Sequence, residues 1–390
     1  MAINIKKKIG IVVSAGQMSG GVFQYTESIL DAMNRSNFYD IILFYYDEVG
    51  LFNKYKFSKR KLTTPSFNIF QIFVKLFQLL FSIRKPFFFS DEEKSLFKDI
   101  DLFLSPTTTL YPHYYLNKKF VFTLHDMQER YFPQFFTKYE LFKRYIVRKK
   151  LAKHADKILC ESYFVKNDIK KFLKVPESKV KIVESPPPAR LLDNRVDKVY
   201  FNNIINKYDL PNKFIYYPAQ LWYHKNHIKL LDAFAIVKEQ FDDLHLLLTG
   251  NRDNNYHNII NKIKTLNLDN SVKYLGYVDY EDIPYLYTLS KFLIMPSLFE
   301  SISLPIYEAF SLKIPVCCSN VVALPEQVGE AGLLFDPHDE VDIANKMIMY
   351  LKDDELKKLK GQLGYDRLLN YNHAKYEEKI INIFHSSINR

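Results

Sequence analysis

Short apolar runs recur along the whole chain, and between them lie stretches whose apolar positions return every three or four residues. In the first half the strand-like runs are Ile9–Ser14, Ile41–Tyr46, Leu102–Ser105, Phe120–Leu124 and Ile158–Glu161. In the second half Phe214–Tyr217, Leu244–Thr249 and Phe292–Phe299 read the same way and Val272–Val278 reads as a strand with a glycine turn at Gly276, with helical patterns such as Ile228–Phe241 and Leu304–Leu312 between them. Alternation of strand, loop and helix predicts a parallel, doubly wound α/β architecture. The run Ser185-Pro-Pro-Pro188 is a stiff break between the two series. Two domains are therefore expected, residues 1–185 and 190–370, followed by a helical tail over 371–390.

The stretch Phe67–Ile83 has its own pattern. Asn68, Gln71, Lys75, Gln78 and Ser82 recur at intervals of three or four, so a helix here keeps one narrow polar stripe in an otherwise apolar surface. Its length of about 17 residues is the lower limit for a bilayer span, and Lys75 interrupts it, so spanning is not expected. Two readings remain. The preferred one is a mostly buried helix of the first domain; the other is an interfacial helix dipping into a membrane beside basic neighbours.

Candidate chemistry concentrates at strand ends. Glu300 and Glu308 lie eight positions apart, directly after the apolar run that ends at Phe299. Glu300 is placed at a strand-to-helix corner and Glu308 further along the helix, with Pro305 tolerated in its first turn. Such corners are where open α/β sheets bind nucleotides and sugars, and two carboxylates there can accept hydrogen bonds from vicinal hydroxyls. Two solvated glutamates are the plainer alternative. Upstream, Tyr217-Pro-Ala-Gln-Leu-Trp-Tyr-His-Lys225-Asn226 joins a strand to a helix, and a lysine on that loop can neutralise a diphosphate with help from the helix N-terminus. Gly250 closes the next strand, where backbone must come close to something.

Taken together, Gly20-Gly21-Val22, the Lys225-Asn226 loop and the Glu300-to-Glu308 spacing resemble the family-4 retaining glycosyltransferases of the GT-B fold. Ala323-Leu-Pro-Glu326, Gly329-Glu-Ala-Gly332 and Phe335-Asp-Pro337 are similar to that family's C-terminal tail. The resemblance implies two Rossmann-like domains facing a cleft, with the tail helix crossing back onto the first. It implies that Lys225 holds the nucleotide diphosphate, that Glu308 binds ribose hydroxyls, and that Glu300 faces the donor sugar near the reacting carbon. Gly20 and Gly21 match the loop that approaches the phosphates and acceptor, and His125 with Asp126 resembles the acceptor-side polar pair. Gln220, Asn226, Gly250, Val278, Ser301, Ile302, Ser303 and Leu304 fall on the donor side. Lys225, Glu300 and His125 are then the catalytic candidates, with no enzyme nucleophile assigned.

Departures from the pattern bear on the donor. Where members carry an arginine five positions before the lysine, this chain has Gln220, which brings no second positive charge. Arg252 is a candidate replacement or a solvated loop residue. Ser301 and Ser303 stand where glycines are common. The implied reaction is transfer of a hexose, with mannose or rhamnose donors as alternatives, to a hydroxyl of a glycan or glycolipid in cell-surface polysaccharide synthesis such as lipopolysaccharide or capsule. No metal or other cofactor is expected. The runner-up is a catalytically inactive nucleotide-sugar-binding subunit of a membrane-associated complex; a phosphorylase of the same fold is disfavoured by the short chain.

Composition narrows the class further. Lys and Arg outnumber Asp and Glu by 54 to 44. The excess bunches in 54–61 and 143–150, which suits anionic lipid; nucleic acid is a poorer partner because no recognition motif accompanies the charge. Cys160, Cys317 and Cys318 form no disulfide framework and no metal-ligand spacing with histidine. Reduced core cysteines and a basic N-terminus whose apolar run is too short for a signal peptide point to the cytoplasm, or the cytoplasmic face of the inner membrane.

Overall fold

The computed structural model describes residues 6–13, 21–36, 38–46, 52–63, 68–186, 196–370 and 373–389. The chain divides into two compact units, Met1–Ser185 with His373–Arg390, and Pro186–Asn372. The first is built on a seven-stranded parallel sheet of β1 (Lys8–Val13), β2 (Asp40–Tyr45), β3 (Ser58–Lys61), β4 (Leu102–Ser105), β5 (Phe120–Thr123), β6 (Lys157–Cys160) and β7 (Val180–Ile182). Its spatial order is β3-β2-β1-β4-β5-β6-β7, with Ile9 opposite Leu102 across the reversal. The second carries a six-stranded parallel sheet of β8 (Phe214–Pro218), β9 (His245–Thr249), β10 (Val272–Tyr274), β11 (Leu293–Met295), β12 (Val316–Ser319) and β13 (Gly332–Phe335), in the order β10-β9-β8-β11-β12-β13.

The inner strands are mostly apolar because helices cover both faces of each sheet. Every residue of β4, β5, β6 and β12 is buried. Each unit has its own core: Phe44, Phe103, Phe120 and Phe122 lie in the first, and Tyr216, Leu247, Ile294 and Cys317 in the second. All three cysteines are buried, and none is joined in a disulfide. The tail helix His373–Ile388 belongs to the first unit. It buries Tyr376, Ile380 and Phe384, pairs Glu377 with Arg35 at 3.3 Å, and takes Lys119 at its last carbonyls, where a cation suits the helix dipole.

Two segments depart most from the sequence reading. The basic bunch 54–61 ends in β3, an edge strand that the apolar pattern does not announce because its residues are Ser-Lys-Arg-Lys. Arg60 there forks onto Asp99 at 2.7 and 2.9 Å, and such charges protect an edge from further pairing. The second difference overturns the preferred reading of 67–83. The helix is present over Ile69–Leu80, but only Gln78 and Leu79 of it are buried. Its polar stripe faces the protein and its apolar side faces outward, so it is not a core helix. Within the described residues no helix is long and apolar enough to cross a membrane.

Candidate active site

In each sheet the strand order reverses at one point, between β1 and β4 and between β8 and β11. Loops leaving the carboxyl ends of neighbouring strands diverge there and open a crevice. The loop after β8 carries Lys225, and the loop after β11 carries Glu300. Seventy-five positions apart in sequence, they meet: Lys225 Nζ donates to Glu300 Oε1 at 3.0 Å and to Oε2 at 2.8 Å. Their side chains are only 14% and 11% exposed.

The two loops are stitched together beneath this pair. The Leu298 amide donates to the His224 carbonyl at 2.8 Å, and the buried Tyr217 hydroxyl donates to the Lys225 carbonyl at 2.7 Å. Asn226 sits at φ 60° in the left-handed region, which Asn tolerates. Its amide donates to the carbonyls of Pro296 at 3.0 Å and Pro337 at 2.8 Å. Both amide hydrogens are therefore engaged by the fold, and Asn226 is a brace for the donor-side loop rather than a free contact. Burial, then the Lys225 charge, pulls His224 and His227 down to about 3. Both stay neutral at pH 7 and leave Lys225 as the cation of its loop. The helix His227–Lys238 starts directly after it, so the partial positive charge of the helix N-terminus adds to the lysine.

The second loop runs from Glu300 into the helix Leu304–Ser311. Ser301 and Ile302 are partly exposed. Ser303 is buried, and its backbone is clamped on both sides by Gln327, which accepts from the Ser303 amide at 2.8 Å and donates to its carbonyl at 2.6 Å. The Ala323 amide donates to the Glu300 carbonyl at 3.3 Å. The tail segment 323–327 thus sets the path of the Glu300–Ser303 turn. The Ser303 hydroxyl is buried without a hydrogen-bond partner, at the mouth of a helix whose first amides point outward. Leu304 is buried in the first turn. Glu308, one turn on, is 5% exposed and accepts from the buried Tyr287 hydroxyl at 2.9 Å.

Other candidates take structural places. Gly250 has φ +134°, and a Cβ there would lie 2.3 Å from the Ala219 carbonyl oxygen. The thing its backbone must approach is the end of β8. Val278 is buried in the core of the second unit, and Gln220 is partly exposed. Arg252 is exposed and stacks over the Tyr256 ring at 4.6 Å.

In the first unit Gly20 lies outside the described residues, and Gly21 opens the helix Gly21–Arg35. His125 and Asp126 follow β5. His125 Nδ1 donates to Glu161 Oε2 at 2.8 Å and its Nε2 to the Pro106 carbonyl at 2.9 Å. With both ring nitrogens facing acceptors, the surroundings favour the doubly protonated imidazole. Burial works against that charge, but the Glu161 hydrogen bond and charge, with Asp126 and the Pro106 carbonyl, outweigh it and raise the pKa. Glu161 is itself fixed by the Ser185 hydroxyl at 2.9 Å. A charged imidazole cannot accept a proton, and both of its N–H groups are engaged by the fold, so a general-base role for His125 is set aside. Asp126 accepts from the Gln128 amide at 3.2 Å and lies 3.7 Å from Arg148. The sequence reading passed over Glu161, Tyr217, Tyr287 and Gln327. For Glu161 a signal existed, a carboxylate closing a buried strand; the other three act only through distant partners. Among the described residues, no three acidic, His or Cys side chains gather to hold a metal.

Comparison with known proteins gives concordant results. The family described as Glycosyltransferase Family 4 matches residues 19–186, and that described as Glycosyl transferases group 1 matches 201–366. The O-antigen chain mannosyltransferase B of Escherichia coli is 31% identical over 183 residues, 46% of this chain and 48% of that protein. The O-antigen chain mannosyltransferase RfbU of Salmonella typhimurium is 26% identical over 219 residues, 56% of this chain and 57% of that protein. The matches thus span about half the length of these relatives. Among solved structures, Anabaena HepE in complex with UDP and glucose superposes with a TM-score of 0.78 at 16% identity, covering 97% of this chain and all (100%) of that one. A glycosyltransferase from Rickettsia africae gives 0.74 at 19% identity, covering 98% of this chain and 99% of that one. At such identities the agreement is one of fold, the two-domain Rossmann-like GT-B architecture.

Proposed function

Because the chain belongs to the family-4 glycosyltransferases, we propose that it transfers a hexose from a nucleoside-diphosphate sugar to a hydroxyl of a glycan or lipid-linked acceptor, with retention, during surface polysaccharide synthesis. Mannose is the preferred sugar, since the relatives named above are mannosyltransferases. One observation carries the reading: Lys225 and Glu300 meet at the strand-order reversal of the second sheet, beside two helix N-termini. In the proposed reaction the bond from the anomeric carbon to the β-phosphate oxygen breaks, and the acceptor oxygen bonds to the same face. Its proton passes to the leaving diphosphate. Charge gathers on that diphosphate, where Lys225 and the helix N-termini stabilise it. Glu300 accepts from sugar hydroxyls and Glu308 from the ribose. On the acceptor side the charged His125 contributes its positive field, since both of its N–H groups are held by Glu161 and the Pro106 carbonyl.

A donor panel tests this. Purified protein is given each common nucleoside-diphosphate hexose, with and without a crude glycolipid fraction, and nucleoside-diphosphate release is followed. Release from one donor is expected, falling by about a hundredfold or more in Lys225→Ala, the scale of losing one charge-stabilising group, and surviving EDTA. Binding without release for every donor would favour a non-catalytic binding subunit. No binding to any donor would reject the nucleotide-sugar reading.

A further inference from the structure

The helix Ile69–Leu80 is inverted relative to a helix of a water-facing domain, which turns its apolar side inward. Its polar residues are the ones the protein uses. Asn68 and Gln71 close a reciprocal cap at 2.9 and 3.1 Å, and the buried Gln78 donates to the Lys85 carbonyl at 2.6 Å. Lys75 lies over the Tyr115 ring at 4.5 Å, and Ser82 accepts from Lys150 at 2.9 Å. The opposite side presents Phe70, Ile72, Phe73, Leu76, Phe77 and Phe81 in one band, with Phe70 68% and Phe73 65% exposed. Contiguous apolar surface of this kind marks an interaction site.

What covers it is decided by charge. The neighbouring helix Lys138–His154 carries seven Lys or Arg and one acid, Glu140. It is joined to this one by Lys150, which donates to the Leu80 carbonyl at 2.6 Å. Lys143 lies two turns before Lys150, on the same side of its helix, and Lys143 and Lys153 are exposed. A second copy of a chain with net charge +10 would bring one such basic rim against another. An anionic bilayer supplies the opposite charge. At 12 residues the helix is about 18 Å long, well short of the roughly 30 Å a span requires, so it lies on the surface.

We propose that the helix Ile69–Leu80 docks this protein on an anionic lipid bilayer, its aromatic side immersed at the headgroup boundary and the basic side of Lys138–His154 against the phosphates. The proposal is independent of the transfer reaction and its donor. Full-length protein is floated with vesicles of phosphatidylethanolamine and phosphatidylglycerol, and with vesicles of phosphatidylcholine alone. Partition onto the anionic vesicles is expected, at least about tenfold stronger than onto phosphatidylcholine. Phe73→Ser with Phe77→Ser should lower it by about tenfold or more. Lys143→Glu with Lys153→Glu should remove the preference for anionic lipid. All these positions are exposed, so an unchanged melting temperature shows that each variant folds. Unaltered partition in the phenylalanine pair overturns the proposal. So does wild-type protein that stays off anionic vesicles and sediments as a dimer split by the same pair, which would assign the face to a second copy.

Discussion

Around His125 three contacts fix a charge that the residue type alone leaves open. The ring donates to Glu161 and to the Pro106 carbonyl, and Tyr25 packs edge-on against it at 4.7 Å. Because the folded pKa is raised, the charged ring contributes stability that is complete below about pH 6.5, the ordinary histidine value. That contribution is lost as pH rises through the folded pKa. Replacing His125 with Gln is expected to lower the melting temperature at pH 6, with the gap to wild type narrowing as pH is raised to 9. A gap that stays constant across that range would show that the ring is neutral. Lys225 and Glu300 share the same logic in the second unit. Each compensates the other's partly buried charge, and removing one alone leaves the other uncompensated. Losses in Lys225→Ala therefore need a stability control beside the activity assay.

Secondary-structure elements meet the site through their ends. The donor-side loops leave β8 and β11 and run into the helices His227–Lys238 and Leu304–Ser311. Their course depends on how closely β8 and β9 finish together. Gly250 makes that possible: the Ala219 amide donates to the Thr249 carbonyl at 2.9 Å, and no side chain fits at Gly250. Gly250→Ala is expected to cost about 2 kcal/mol or more, since both strained φ and a backbone clash oppose it. Gly276 is the internal control. Its φ of +73° meets no atom within 4 Å, so Gly276→Ala should cost only about 1 kcal/mol. Denaturant midpoints of the two variants decide the order, and equal losses would remove the close-approach argument. The same scale explains why β3 escaped the apolar pattern. An edge strand of Ser-Lys-Arg-Lys has no buried face to write into its sequence.

Across the whole molecule, two cores are held in two units, and the proposed donor chemistry lies in one of them. A nucleoside diphosphate binding there stabilises that unit by mass action, about 2.7 kcal/mol at a hundred times its Kd. Differential calorimetry with the diphosphate that the donor panel identifies should shift part of the unfolding heat upward in wild type and none of it in Lys225→Ala. A shift that persists in the variant would place the diphosphate elsewhere. Sequence alone carried the parallel α/β class, most strands to within a residue or two at their ends, and the positions where carboxylates and a lysine leave strand ends. Those features are local, because burial on both faces dictates composition and turns need particular residues. The run from Phe292 shows the limit of that reading: β11 keeps only Leu293–Met295, and the rest becomes the loop that delivers Glu300. Strand order brought Lys225 within 2.8 Å of Glu300, engaged the Asn226 amide with Pro296 and Pro337, and paired His125 with Glu161. The helix over 69–80 marks the division most clearly. Its period determined that one stripe would be polar, but only the packing of Gln78 and Lys75 against the first unit decided that the stripe faces inward. Periodicity fixes the angle between two faces of a helix, and which of them meets the protein depends on contacts from elsewhere in the chain.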